Sequence, residues 1–376
     1  MLWVLRETNP LKPKLPNKMS HCIEATDKIL VPAQAGYSAW HGLETPIVGD
    51  IELQDAQEQG LHFPLCIHEC LSLDKKGNTH QVDGRQIVCA DVSERADIPR
   101  DFIHLHVPTK KYTLIENERV WEAMATSLEE VTDYKVSCVG TLGGLKRYFI
   151  SVELGDDSRT TINGDEFHSH LNFITSHDGS MAFEAHDSNV RIVCQNTLNW
   201  SMTAKHNLGL RIHHNAKNTD LRLKGVEQMI QDVMAGRATF ADVMVNFAAI
   251  EADAELARGI VSGYYSNLPA FNKTKGFATK TRNNIDNVVD LFATGRGNQG
   301  KTVYDIVNGA TEFYTSGLGV GKERGDNRGK QAFSSQFGTA SRHKANFVST
   351  VRQNIGNLKE FADAGNRAYE IDLASN

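Results

Sequence analysis

Between Glu166 and Trp200 the chain carries its densest set of residues able to do chemistry: His168, His170, His177, Asp178, Glu184 and His186, then Arg191, Cys194, Asn196 and Thr197. Two histidines and a carboxylate, such as His170, His186 and Glu184, could hold a metal ion, and Cys194 with His177 could pair a nucleophile with its base. Neither reading is supported by spacing. The histidines fit no ordinary zinc motif, and no orienting group or oxyanion element can be named for Cys194. The stretch is therefore read as carrying no catalytic and no metal site. Arg191, Asn196 and Thr197 fit better as residues that hydrogen-bond across a sheet-to-helix junction, where buried polar groups need partners.

Two further motifs invite chemistry. In Cys66-Ile67-His68-Glu69-Cys70, a strand would separate the two cysteines by about 13 Å, too far for one zinc ion, and no second ligand pair follows at zinc-site spacing. The run Gly295-Arg296-Gly297-Asn298-Gln299-Gly300-Lys301-Thr302 fits the phosphate-loop pattern letter for letter. That chemistry requires a preceding strand, whereas Ile285, Val288, Val289 and Phe292 recur at helical spacing. A Gly-rich loop between helices is the expectation, with no cofactor.

The elements that would position these residues follow from periodicity. Ile115, Val120, Trp121, Met124 and Leu128 predict a helix over 116–130 with Trp121 in the core. Strands are expected over 102–107, 134–139 and 146–154, the last two forming a hairpin through Gly140 to Gly144. A second hairpin turns at His177-Asp178-Gly179. A three-residue loop pairs Phe173 with Phe183, Leu171 with Ala185 and Thr175 with Met181, with Gly179 in the left-handed position. The other face then carries His168, His170, Asn172, Glu184 and His186, with His170 across from His186. Helices are expected over 221–236 and 240–260.

Length and composition bound the rest. At 376 residues, 40% hydrophobic and 23% charged, the chain can bury a real core, and it exceeds the size at which one core usually keeps growing. The expected organisation is a loosely ordered lead-in over 1–36, a small β-rich region over 37–102, an α+β core over 103–260, and a basic, mostly helical region with a Gly-rich loop over 261–376. Six scattered cysteines are read as free thiols of a cytoplasmic protein, and no apolar run approaches membrane-span length.

The net charge of -6 hides an asymmetry: residues 261–376 hold 15 Lys and Arg against 10 Asp and Glu, so the acidic excess lies in the first 260. Lys322, Arg324, Arg328, Lys330, Arg342 and Lys344 are candidate phosphate contacts, and Phe333 and Phe337 could stack on exposed bases.

Several pieces of the sequence together resemble the phage/plasmid-like proteins of mobile genetic elements, a family catalogued as a domain of unknown function. They are Trp40-His41-Gly42-Leu43; Tyr112 to Glu118; Gly140 to Val152; Thr175-Ser176-His177-Asp178-Gly179-Ser180; Arg191 to Asn199 with Cys194, Asn196 and Thr197; Arg211-Ile212-His213-His214-Asn215; and Tyr304 to Phe313. Glu44 stands where that family has Gly, and Phe313 where it has Tyr. The resemblance implies a mobile-element setting, in which recombination, replication and defence evasion are common roles.

The fold class expected is α+β: an antiparallel sheet of two hairpins flanked by helices, with a helical C-terminal region. That topology resembles the core of ring-forming single-strand annealing proteins. The functional expectation is a non-enzymatic, homo-oligomeric protein that binds and anneals single-stranded DNA. The alternatives are a metal- or nucleotide-dependent nucleic-acid enzyme, or an antidefence protein whose acidic part engages a host factor.

Overall fold

A computed structural model describes residues 26–33, 44–129, 131, 133–155, 160–162, 164–191, 196–198, 210–214, 241–316 and 338–371. The chain forms β1 (Ile29–Pro32), β2 (Thr45–Ile47), α1 (Leu53–Glu58), β3 (Leu65–Leu73), β4 (Thr79–Asp91), β5 (Phe102–His106) and α2 (Asn117–Ser127). There follow β6 (Tyr134–Leu142), β7 (Arg147–Leu154), β8 (Thr160–Ile162), β9 (Asp165–Ser176), β10 (Phe183–Arg191), β11 (Asn196–Leu198) and β12 (Leu210–Ile212). The C-terminal part supplies α3 (Ala254–Ser266), α4 (Thr279–Thr294), α5 (Val303–Ser316), α6 (Thr339–Gln353) and α7 (Leu358–Glu370).

The α+β expectation holds. The main sheet runs β11-β10-β9-β7-β6-β1-β2, with β12 beside β10 and β8 beside β9, and its centre is the two expected hairpins. All its described pairs are antiparallel except β1 with β2. A second, three-stranded sheet has the order β3-β4-β5. The lead-in differs from expectation, because Ile29 and Leu30 pair with Gly140 and Val139 of β6 and are buried. Apolar Ile29-Leu30-Val31 outweighs the surrounding prolines and lysines and joins the sheet.

One face of the main sheet presents Tyr148, Ile150, Val152, Leu171, Phe173, Phe183 and Ala185, covered by Val120, Trp121, Met124 and Leu128 of α2. Ile115 and these four helix residues are all buried, as their spacing requires. The opposite face packs Ile29, Cys138, Leu142, Phe149 and Ile174. The small sheet buries Leu65, Val88, Ala90 and Leu105 together with Leu145 from the tip of the β6–β7 hairpin.

The register of the second hairpin differs from the reading above by two residues. Phe173 pairs with Ala185 and Leu171 with Asp187, so His170 stands opposite Ser188 and His186 opposite Asn172. A shift of two preserves which face each side chain occupies, and the turn is longer than three residues. Its extra residues are held by Ser176, whose hydroxyl accepts from the Met181 amide at 2.9 Å and donates to the Met181 carbonyl at 2.8 Å. Much of the polar face is covered: His170, Asn172 and His186 are buried.

The helical region has its own core around Tyr264, Leu291, Phe292, Tyr304, Val307 and Phe347, joined to the sheet through Ile162 and Phe167. Helix expected over 240–260 is interrupted, because Asp253 accepts from the Leu256 amide at 2.8 Å and caps a new helix, α3. Helices α3 and α7 pack with their backbones in contact at Gly259 and Gly365. A Cβ at Gly259 would lie 2.5 Å from the Ala362 carbonyl oxygen. The expected helix over 221–236 lies outside the described residues.

Candidate functional site

The end of β9 turns through His177, Asp178 and Gly179. Gly179 has φ of 70°, and a Cβ there would sit 3.0 Å from His106 Nε2, so the turn needs glycine for both conformation and space. The Asp178 carboxylate accepts from the Ser180 amide at 2.9 Å, and the His177 amide donates to the Lys146 carbonyl at 2.7 Å. The family-like residues here thus fix a turn against the neighbouring hairpin.

Beneath the turn lies a buried polar network. Asn117, at the start of α2, donates through Nδ2 to the Leu61 carbonyl at 2.9 Å, which leaves its Oδ1 to face His177 Nε2 at 2.8 Å. His177 therefore carries its proton on Nε2. Its Nδ1 is buried and has no hydrogen-bond partner. Burial, reinforced by nearby His214 and opposed by Asp178, lowers its pKa to about 3, so the ring is neutral.

His214 donates from Nδ1 to the Thr113 carbonyl at 3.1 Å and faces the Thr175 hydroxyl through Nε2 at 3.4 Å. Its ring stacks on Tyr112 at 4.8 Å and 12°, and the Tyr112 hydroxyl donates to the Ser176 carbonyl at 3.0 Å. Three separate pieces of sequence, around Tyr112, His177 and His214, are thereby brought together.

Above this network opens a pocket of about 510 Å³ lined by Arg85, His106, Lys111, Arg211, His213 and His214, with Tyr112 and the turn residues 179–182. Among the described residues no carboxylate lines it. Arg85, Lys111, Arg211 and His213 are exposed. Two acids border it: Asp178, which precedes Gly179 and acts on Tyr112 and His214, and Glu184, whose Oε1 lies 3.1 Å from Arg211 Nε. Burial raises the Glu184 pKa, and Arg211, Arg342 and His213 oppose that shift. Arg342 of α6 thus acts on Glu184, without lining the pocket. Guanidinium and ammonium groups beside aromatic and imidazole rings suit a phosphate-bearing ligand with a planar base.

The predicted site residues fall in several places. Lys322, Arg324, Arg328, Lys330, Phe333, Phe337 and Cys194 lie outside the described residues. Arg342 is exposed, whereas Lys344 is buried at 0% exposure with Nζ 3.3 Å from Thr315 Oγ1, so it is corrected from a surface phosphate contact to a core residue. Helical periodicity turns it inward with Ala345, Phe347 and Val348 around it in sequence. Arg191 pairs with Asn196 and Val190 with Thr197 where β10 meets β11, a strand-to-strand pairing rather than the expected sheet-to-helix junction. Sequence reasoning missed Arg85, Lys111, Tyr112, Arg211 and His213 as pocket residues. The available signal was the run Arg211-Ile212-His213-His214.

The competing chemistries can be placed too. Among the described residues His170, His186 and Glu184 gather no metal-ligand set; the donors that do gather are those of Cys66, His68 and Cys89. The sequence reading of no metal here considered Cys70 and not the neighbouring strand. The phosphate-loop pattern follows a helix, α4, as its spacing indicated. Its amides are already used: the Asp305 carboxylate accepts from the backbone of Gln299 at 3.2 Å, Lys301 at 3.0 Å and Thr302 at 3.1 Å. An acidic group occupies the centre where a phosphate would have to sit.

No curated protein and no solved structure matches the sequence significantly. The family model described as a domain of unknown function (DUF932) matches residues 104–333, more than half of the chain, and covers α2, the β9–β10 hairpin, most of the pocket and helices α3 to α5. The protein belongs to that family.

Proposed function

We propose that this protein is a non-enzymatic single-strand DNA binding and annealing protein, acting as a homo-oligomer in the recombination or replication of a phage or plasmid. The observation that carries the reading is the pocket at the His177 turn, with three Lys and Arg side chains, three histidines and no lining carboxylate. Arg342 acts on Glu184, the partner of Arg211. The strand enters with its phosphates on Arg85, Lys111, Arg211 and Arg342, and a base lies against Tyr112. The basic stretch with Lys322, Arg324, Arg328 and Lys330 extends the phosphate contacts, and Phe333 and Phe337 add stacking. Such contacts give sequence-independent affinity that weakens steeply with salt.

The enzymatic alternatives draw less support. Asp305 fills the amide cradle of the phosphate-loop pattern, and His170, His186 and Glu184 do not converge. Titration of a labelled single strand at several salt concentrations tests binding. Particle images with and without single-stranded DNA test annealing, for which rings or filaments are the expected result.

A further inference from the structure

The three-stranded sheet carries a cluster that the DNA-binding reading does not use. Cys66 on β3 stands directly opposite Cys89 on β4 in the antiparallel register, and His68 follows two residues after Cys66 on the same face. The His68 ring lies between the two sulfurs, with Nε2 3.5 Å from Cys66 Sγ and Nδ1 3.7 Å from Cys89 Sγ. One donor atom from each residue lies within 4.8 Å of the others. Around a tetrahedral zinc ion with Zn–S near 2.3 Å and Zn–N near 2.0 Å, ligand atoms stand roughly 3.5 to 3.8 Å apart. The two short contacts use different ring nitrogens, so one ion would take a single nitrogen of His68 with the two sulfurs, and a closing of about 1 Å or less from separations within 4.8 Å brings the three to that spacing.

Its surroundings suit a soft dication. Asp91 and Glu116 are the acidic groups that act on Cys66, and Asp91 also interacts with His68. Asp91 lies two residues beyond Cys89, on the same face of β4. The Phe102 ring meets His68 edge-on at 4.9 Å and restricts its rotation. Two thiols and an imidazole form a donor set for zinc rather than for magnesium or calcium, which take oxygen ligands.

We propose that Cys66, His68 and Cys89 bind one zinc ion, with the fourth position directed toward Asp91, and that the ion cross-links β3 to β4. Cys66 and Cys70 alone could not do this, because a strand holds them apart. The hairpin partner strand supplies the second thiolate.

The test is metal analysis of the full chain purified under reducing conditions without chelator. About one equivalent of zinc per chain is expected, as for a structural site. Cys66→Ser, Cys89→Ser and His68→Ala should each weaken retention against a competing chelator at least about tenfold, while Cys70→Ser should match wild type. Cobalt exchange gives a readout independent of whether the variants fold: wild-type protein should develop thiolate-to-cobalt charge-transfer absorption that zinc abolishes. Absence of that absorption, zinc retained undiminished by Cys66→Ser and Cys89→Ser, or a Cys66–Cys89 disulfide in the purified protein would overturn the site.

Discussion

His177 and Asn117 are joined by a 2.8 Å hydrogen bond between Nε2 and Oδ1, and Asn117 is fixed in turn by its bond to the Leu61 carbonyl. One side-chain pair thereby ties the turn of the β9–β10 hairpin to the start of α2 and to the segment that enters the small sheet. Of these, the turn lines the cationic pocket through Gly179, Ser180, Met181 and Ala182, and the other two hold it from beneath.

Truncating His177 leaves Asn117 Oδ1 buried and unpartnered. His177→Ala should therefore destabilise the protein by about 2–3 kcal/mol, read from the denaturant midpoint at pH 7. A loss within about 0.5 kcal/mol, the range of ordinary surface substitutions, would show that the bond has no structural weight.

Burial holds His62, His170 and His186 at a pKa of about 4 and His177 at about 3, against an ordinary 6.5. The folded state keeps these rings neutral, while the unfolded chain takes up protons below pH 6.5. Their contribution is complete above pH 6.5 and is lost as pH falls toward 4, at up to about 1.4 kcal/mol per pH unit for each ring. The melting temperature should drop between pH 7 and pH 5, and His177→Gln should make that drop shallower. A flat or rising profile in wild type would contradict the burial.

Asp305 organises the loop before α5 through three backbone amides and the Thr302 hydroxyl at 3.1 Å. Asp305→Ala should cost about 2–4 kcal/mol, whereas Lys301→Ala, at an exposed position, should leave stability nearly unchanged. Thermal melts of both variants decide the matter. ATP turnover that depends on Lys301 would refute the structural assignment of the loop.

The crossing of α3 with α7 depends on missing side chains. Gly365→Ala would drive a Cβ into the backbone of Gly259 and Gly263, and helix separation should cost at least about 2 kcal/mol despite the better helix propensity of alanine. A more stable Gly365→Ala protein would mean that the helices do not meet so closely.

Much of the scaffold was readable because it rests on local periodicity. Val120, Trp121, Met124 and Leu128 declare one face of α2, and alternation in β7 and β9 declares the sheet faces. The hairpin register was not readable to better than two residues, since Phe173 faces the core opposite either Phe183 or Ala185. The side-chain bonds of Ser176 decide between them. Tyr112, His177 and His214 are far apart in sequence and meet only through sheet and helix packing, so no spacing marks their pocket. Cys89 was invisible as a partner of Cys66 for the same reason: pairing of β3 with β4 creates the neighbourhood. Lys344 shows the converse error, a charge counted as surface that helical phase carries into the core.

The central claim is most directly tested by fluorescence anisotropy of a labelled single-stranded oligonucleotide, titrated with wild-type protein and with Arg85→Ala/Lys111→Ala/Arg211→Ala across a salt series. The account predicts wild-type binding that falls steeply with salt, and a variant that binds at least about tenfold more weakly with a shallower salt dependence. Wild-type affinity no better than that of an acidic control protein, or a variant indistinguishable from wild type, would contradict it.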